Sequence, residues 1–144
     1  IAAIMGHEIA HAFARHGIES LSRYSMIQIG SIALARSDHA ELLNKSINLL
    51  GNNINIYDSI LNYGVLLPFS RTMESEADYM GLVFMNLSGF NMQESIKVWE
   101  RMQDLSKGEN PPEFMSSHPS PENRINNIKN WIPKVREEYP PVKI

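Results

Sequence analysis

The chain contains no cysteine, no long run of one charge and no stretch of 18 apolar residues. Without cysteine, disulfide scaffolds and thiolate zinc sites are excluded. The 13 basic and 16 acidic residues give a net charge of -3, and without a basic stripe we expect no nucleic-acid partner. The apolar runs are too short for a helix that crosses a bilayer, so we expect no membrane-spanning segment in this chain.

The 144 residues are enough for one compact domain, and we predict a single domain over residues 1–144 with a frayed tail over 134–144. Apolar residues recur at three- and four-residue intervals, which predicts a mainly α-helical fold without a convincing strand. Gly17 and Gly89 are predicted to close helices, because glycine tolerates the left-handed conformation found there. The predicted helices cover residues 1–16, 18–35, 38–50, a segment ending near 68, 70–87, 92–106 and 121–131.

Residues 7–11 read H-E-I-A-H within the first predicted helix. Successive helical residues turn by about 100°, so His7 and His11 lie about 40° apart on one face and can bind one metal ion. Glu8 lies beside the pair, where its carboxylate can take a proton from a water that zinc activates. This pattern is typical of zinc peptidases. The alternative is that two buried or solvated histidines match it by chance.

His16 is a third histidine close to the motif, but a continuous helix would place it about 180° around the axis from His7. The zinc pattern H-E-x-x-H-x-x-G-x-x-H also requires glycine at position 14 and histidine at 17, where the chain has Ala14 and Gly17. We therefore predict that His16 is not a ligand and lies in the last helical turn, next to the negative helix end.

A third ligand has to come from elsewhere, and residues 70–81, SRTMESEADYMG, offer three carboxylates. Glu74 and Asp78 share a helix face, whereas Glu76 points about 200° away from Glu74. This spacing allows Glu74 to bind the metal while Asp78 accepts the spare N–H of a ligand histidine. Alone, such a cluster is typical of a solvated helix face.

Three segments, HEIAH, PFSRTMESEADYMGL and PPEFMSSHPSPENRI, together resemble metallopeptidase family 48. This gluzincin group includes the CAAX prenyl protease, the heat-shock membrane protease and periplasmic quality-control proteases. The resemblance covers residues 1–18 and 64–133 and points to the soluble bacterial envelope branch. It implies that His7, His11 and Glu74 bind one zinc ion and that Glu8 is the catalytic residue. It also implies that Asp78 supports a ligand histidine.

The resemblance also implies that His118 and Arg124 approach the site as catalytic residues. His118 could donate to the oxyanion formed during attack, with Arg124 adding positive charge, or it could bind the zinc as a fourth ligand that keeps the protease latent. Without the family, His118 would be a loop histidine and Arg124 a surface helix residue.

Gluzincins generally carry a small sheet before the active-site helix, where the substrate pairs with an edge strand. This chain starts six residues before His7 and without methionine, so we expect a processed or partial chain with a helical gluzincin core that lacks the sheet. Any signal peptide or lipid anchor would lie upstream.

The predicted function is a zinc endopeptidase whose substrates are misfolded or misassembled proteins of a bacterial cell envelope, in the periplasm. One rival is a non-catalytic, zinc-stabilised helical module that binds unfolded clients or a partner, with its metal enclosed by protein ligands. Another is a helical interaction domain without metal. Glu8 favours the enzyme, because a purely structural site has no use for a carboxylate beside the metal. Cleavage preference and oligomeric state have no signature in the sequence.

Overall fold

A computed structural model describes residues 1–36, 66–106 and 123–142. Its helices are α1 Ala2–Phe13, α2 His16–Ala35, α3 Leu67–Leu87, α4 Gln93–Ser106 and α5 Arg124–Glu138. These three ranges contain no strand, which confirms the prediction of a mainly helical fold. In the same ranges, every helix is too short or too polar to cross a membrane. The helix predicted over 38–50 and the loop predicted over 108–121 lie outside the described residues.

The chain divides into two compact units, Ile1–His16 with Ser70–Ile144, and Gly17–Phe69. In the second unit, Arg23 on α2 donates to the Glu19 carboxylate at 3.1 Å, and its guanidinium lies 3.7 Å from the centre of the Phe69 ring. The prediction that the whole chain is one domain stays a prediction. All the residues discussed below as a candidate site belong to the first unit.

The core of the first unit is built from one apolar face of each of four helices, α1, α3, α4 and α5. On α5, buried residues recur at intervals of four and three, Ile128, Ile132 and Val135, as expected for a helix with one apolar face. The buried hydrophobic residues of this cluster are Ala3, Leu82, Met85, Met92, Ile96, Trp99, Ile128, Ile132 and Val135. Packing of these faces holds α1, which carries His7 and His11, against α3 and α5, which carry Glu74, Asp78 and Arg124.

The connection between α3 and α4 follows local sequence signals. Gly89 has a φ of +76°, and its N–H donates to the Asn86 carbonyl at 3.0 Å while that of Phe90 donates to the Met85 carbonyl at 2.8 Å. This pair of bonds is the Schellman motif that commonly ends helices, and it confirms Gly89 as the closing residue. At the start of α4, the Asn91 side-chain oxygen accepts a hydrogen bond from the Gln93 N–H at 3.1 Å.

Two helix ends differ from the prediction. Helix α1 ends at Phe13 rather than at residue 16, because the left-handed residue is Arg15, with a φ of 59°, and not Gly17. Helix α5 continues to Glu138 rather than stopping near 131, so the tail predicted to fray from 134 is helical there. Burial of Val135 explains the extension, because its apolar contacts outweigh the backbone hydrogen bond lost at Pro133.

The two helices that carry the candidate ligands, α1 and α3, approach closely at a pair of glycines. A Cβ built on Gly6 would lie 3.0 Å from the Gly81 carbonyl oxygen, and one built on Gly81 would lie 3.0 Å from the backbone nitrogen of His7. These neighbours are backbone atoms, so they cannot move aside as a flexible side chain would. The absence of side chains at both positions therefore allows the His7 segment to lie directly on α3.

We expect Gly81→Ala to lower the free energy of unfolding of the metal-free protein. The cost of displacing packed backbone, about 1 to 3 kcal/mol, exceeds the gain of about 0.5 to 1 kcal/mol when alanine replaces a helical glycine. The matched control is Gly30→Ala on α2, where a Cβ would meet no atom within 4 Å. We expect this variant to raise the free energy of unfolding, because alanine replaces a helical glycine there without displacing backbone. Urea unfolding measures both, and a shift of both variants in the same direction would contradict the proposed backbone contact.

Candidate metal centre

Helices α1 and α3 bring three potential metal ligands together. The two ring Nε2 atoms of His7 and His11 lie 3.0 Å apart. Each also faces a different oxygen of Glu74, with His7 Nε2 at 3.3 Å from Oε2 and His11 Nε2 at 3.2 Å from Oε1. His7 and Glu74 are buried and His11 is partly buried, and among the described residues this is the group whose ligand atoms could hold an ion.

The separations within this group fit a tetrahedral zinc ion. Zinc bonds of about 2.0 to 2.1 Å at tetrahedral angles place ligand atoms about 3.3 to 3.4 Å apart. The two nitrogens are 3.0 Å apart, and each lies 3.2–3.3 Å from one of the two Glu74 oxygens. Two imidazole nitrogens and a carboxylate oxygen are also ligands that zinc prefers. The described residues supply three protein ligands, and a site with three protein ligands and a fourth position for water or substrate is typical of catalytic rather than structural zinc.

Asp78 lies behind His7, as its spacing from Glu74 predicts. The His7 Nδ1–H donates to Asp78 Oδ1 at 2.9 Å, which leaves Nε2 with a lone pair for a metal. Burial lowers the pKa of His7, but the hydrogen bonds to Asp78 and Glu74 outweigh it, and the pKa is raised above its ordinary value. The surrounding carboxylates therefore favour a positive charge at this point, whether it is a proton or a cation.

Arg124, the first residue of α5, is buried rather than at the surface. Its Nε and Nη2 donate to the two oxygens of Asp78 at 2.6 and 2.8 Å, and Nη2 also donates to Glu74 at 3.2 Å. Its guanidinium stacks 3.5 Å from the centre of the Trp99 ring. These contacts hold the two carboxylates in place, so Arg124 has a positioning role whether or not the predicted oxyanion role holds.

The buried carboxylates of the site outnumber the one guanidinium beside them. The carboxylates of Glu74 and Asp78 and the guanidinium of Arg124 sum to -1 when both histidines are neutral. Nη1 of Arg124 is, within the described ranges, the buried side-chain nitrogen that has no hydrogen-bond partner. A divalent cation on the ligand group would offset the negative charge, since unpaired buried charge is costly.

The two remaining predicted catalytic residues have different outcomes. Glu8 follows His7 on α1 and its side chain is exposed, so it lies beside the ligand pair on the solvent side. His118 lies outside the described residues, and both of its alternative roles stay predictions.

His16 is a residue near the site that the sequence interpretation misplaced. His16 begins α2 instead of ending α1, and it is buried, with its ring 4.9 Å from that of His11. The prediction of a last-turn histidine is wrong because the left-handed Arg15 turns the chain before it. Trp99 belongs to the buried core, and its ring packs edge-on against the His7 ring at 5.5 Å. No local signal links a tryptophan on α4 to histidines on α1.

Comparison with known proteins gives relatives along almost the whole chain. Mitochondrial metalloendopeptidase OMA1 of Saccharomyces cerevisiae is 40% identical over 144 residues, covering 96% of this chain and 38% of the relative. Its namesake in Schizosaccharomyces pombe is 37% identical, covering 94% of this chain and 37% of the relative. The beta-barrel assembly-enhancing protease of Escherichia coli is 28% identical, covering 94% of this chain and 28% of the relative. The chain thus spans well under half the length of these proteins, and no solved structure matches it.

These relatives correct the predicted location. The periplasm of a bacterial envelope is wrong as the expected compartment, because the relatives at 40% and 37% identity are named as mitochondrial and a bacterial envelope relative matches at 28%. The physical reason is that the three motifs encode metal binding and catalysis, which do not depend on the compartment.

The model of peptidase family M48 matches residues 1–132, which include every ligand, supporting and catalytic residue predicted above. Members of this family are metallopeptidases that use zinc, in agreement with the His-His-Glu group. The resemblance first seen in three short motifs is therefore confirmed over nearly the full length, and the chain belongs to peptidase family M48.

Proposed function

We propose that this chain is the catalytic part of a zinc metalloendopeptidase. The observation that carries the proposal is the convergence of His7, His11 and Glu74 at separations of 3.0–3.3 Å, with Glu8 next to the first ligand in the chain. These three residues would hold one zinc ion. Membership of the family and the metalloendopeptidase names of the relatives support the same activity.

The residues around the metal site have different roles in peptide hydrolysis. When bound, zinc lowers the pKa of a water molecule and polarises the carbonyl of the scissile bond. Glu8 takes the proton from the attacking water and returns it to the nitrogen of the leaving amine. Asp78 keeps the His7 proton on Nδ1, and Arg124 holds Asp78 and Glu74 in place through its hydrogen bonds.

The substrates are polypeptides, and we propose misfolded or misassembled proteins among them. The mitochondrion is the proposed setting, because the relatives at 40% and 37% identity carry that location in their names.

Removal of the metal tests this function. In the purified protein we expect about one zinc per chain by elemental analysis, and cleavage of casein that stops on addition of 1,10-phenanthroline and returns when zinc is restored. Loss of activity is expected because, in the part of the chain that the structure describes, the His-His-Glu group is the place where a bound metal could activate the water. Bound zinc without casein cleavage would instead support a non-catalytic module, and absence of zinc would support a helical interaction domain.

A further inference from the structure

His16 is, among the described residues, the buried titratable side chain that the proposed mechanism leaves unused. Its relative exposure is 2%, which is unusual for a histidine unless its ring nitrogens are paired. Both are paired here: Nδ1 lies 2.9 Å from Nδ1 of His11, and Nε2 lies 3.3 Å from Oε2 of Glu76.

The backbone between α1 and α2 brings His16 to this position. In an uninterrupted helix, residues five apart point about 140° away from each other, so the two rings could not meet. Helix α1 instead ends at Phe13, with Ala14 as its C-cap. The next residue, Arg15, has a left-handed φ of 59°. That conformation costs a non-glycine residue about 1 to 2 kcal/mol, and strain of this kind is typical of functional sites.

The hydrogen-bond pattern requires one arrangement of protons. A metal on Nε2 of His11 leaves that ring's proton on Nδ1, which lies 2.9 Å from Nδ1 of His16 and can be donated to it. Nδ1 of His16 must then be the acceptor, so the His16 proton is on Nε2 and is donated to Glu76. In this series of hydrogen bonds, each ring nitrogen of His11 and His16 then has one role.

We propose that His16 is a positioning residue that orients His11 as a metal ligand, and that Glu76 in turn orients His16. This inference rests on the proposed zinc site. Each ligand histidine is then hydrogen-bonded, directly or through another ring, to a carboxylate. His7 donates directly to Asp78, whereas His11 reaches Glu76 through His16. Such partners fix the ring orientation and raise ligand basicity.

Metal affinity of the purified protein, measured by competition for zinc with a chromophoric chelator, tests the proposal. His16→Leu should weaken binding by about 10- to 100-fold, the usual effect of losing a partner of a ligand histidine. His16→Asn should recover most of this loss, because its side-chain oxygen takes the place of Nδ1 as acceptor. Thermal unfolding of the metal-free variants reports packing separately, since a purely structural His16 would lower the melting temperature and leave affinity unchanged.

Glu76 supplies a second test that does not disturb the buried ring. Glu76→Ala should weaken zinc binding less than His16→Leu does, and it should have no further effect in the His16→Leu background, because it acts only through His16. Glu100→Ala, an exposed glutamate on α4, is the matched control.

The outcomes separate this inference from the function on which it rests. A native chain that binds no zinc would overturn the metal site itself. If the native protein binds zinc and His16→Leu binds it equally tightly, the proposed role of His16 would be overturned while the metal site would stand. Equal losses in His16→Leu and His16→Asn would also overturn it, because an acceptor for His11 is present only in the asparagine variant.

Discussion

The Glu8→Gln protein is expected to bind zinc as tightly as the native chain and to cleave casein about 10² to 10⁴-fold more slowly. The ligand atoms on His7, His11 and Glu74 are untouched, so the metal site remains intact. Glutamine has nearly the same size as glutamate but cannot accept a proton, so the general-base contribution, typically of this magnitude, is lost. An exposed position on α1 also means that the change should not disturb packing.

Two measurements on the same samples distinguish this expectation from a loss of structure. Zinc content and the melting temperature should match those of the native protein, while turnover falls. Glu100→Gln provides the matched control, because it makes the same chemical change at a surface carboxylate that pairs with Lys129 at 3.6 Å. Near-native turnover in Glu8→Gln would contradict the mechanism, whatever the metal content.

Glu74→Gln is expected to lose zinc affinity by more than about a hundredfold, beyond the range seen when a residue only orients a ligand. The substitution removes the one anionic ligand and leaves an amide oxygen, which is a poorer donor for zinc. It also changes the charge next to Arg124, whose Nη2 donates to Glu74 at 3.2 Å. The same chelator competition measures this effect.

Glu76→Gln is the matched comparison, two positions along the same helix. Glu76 lies on the other side of His16, with a side chain that is 55% exposed, and its loss should reach the metal only through that ring. A larger loss of zinc in Glu76→Gln than in Glu74→Gln would show that the assignment of the third ligand is wrong.

Local sequence patterns were sufficient to predict the parts of the site that lie within one helix. The four-residue spacing of His7 and His11, and that of Glu74 and Asp78, places each pair on one face once a helix is assumed. The helix end at Gly89 was predictable for the same reason, because it depends on the conformational freedom of one residue.

The features that local patterns did not predict depend on backbone conformation or on contacts between distant helices. Arg15 adopts a left-handed conformation without being glycine, so no residue type marked the turn that brings His16 to His11. Arg124 is 46 positions from Asp78, and nothing in its own segment indicates that it is buried. The compartment could not be predicted from motifs whose residues all serve the metal.

The close contact of Gly6 and Gly81 has a consequence for how members of this family can differ in sequence. A methyl group at either position would meet backbone atoms of the facing helix, and backbone cannot rotate aside as a side chain can. Where the ligands stay on these two helices, both positions should therefore be restricted to glycine. Gly30, where a Cβ would meet no atom within 4 Å, should accept other residues.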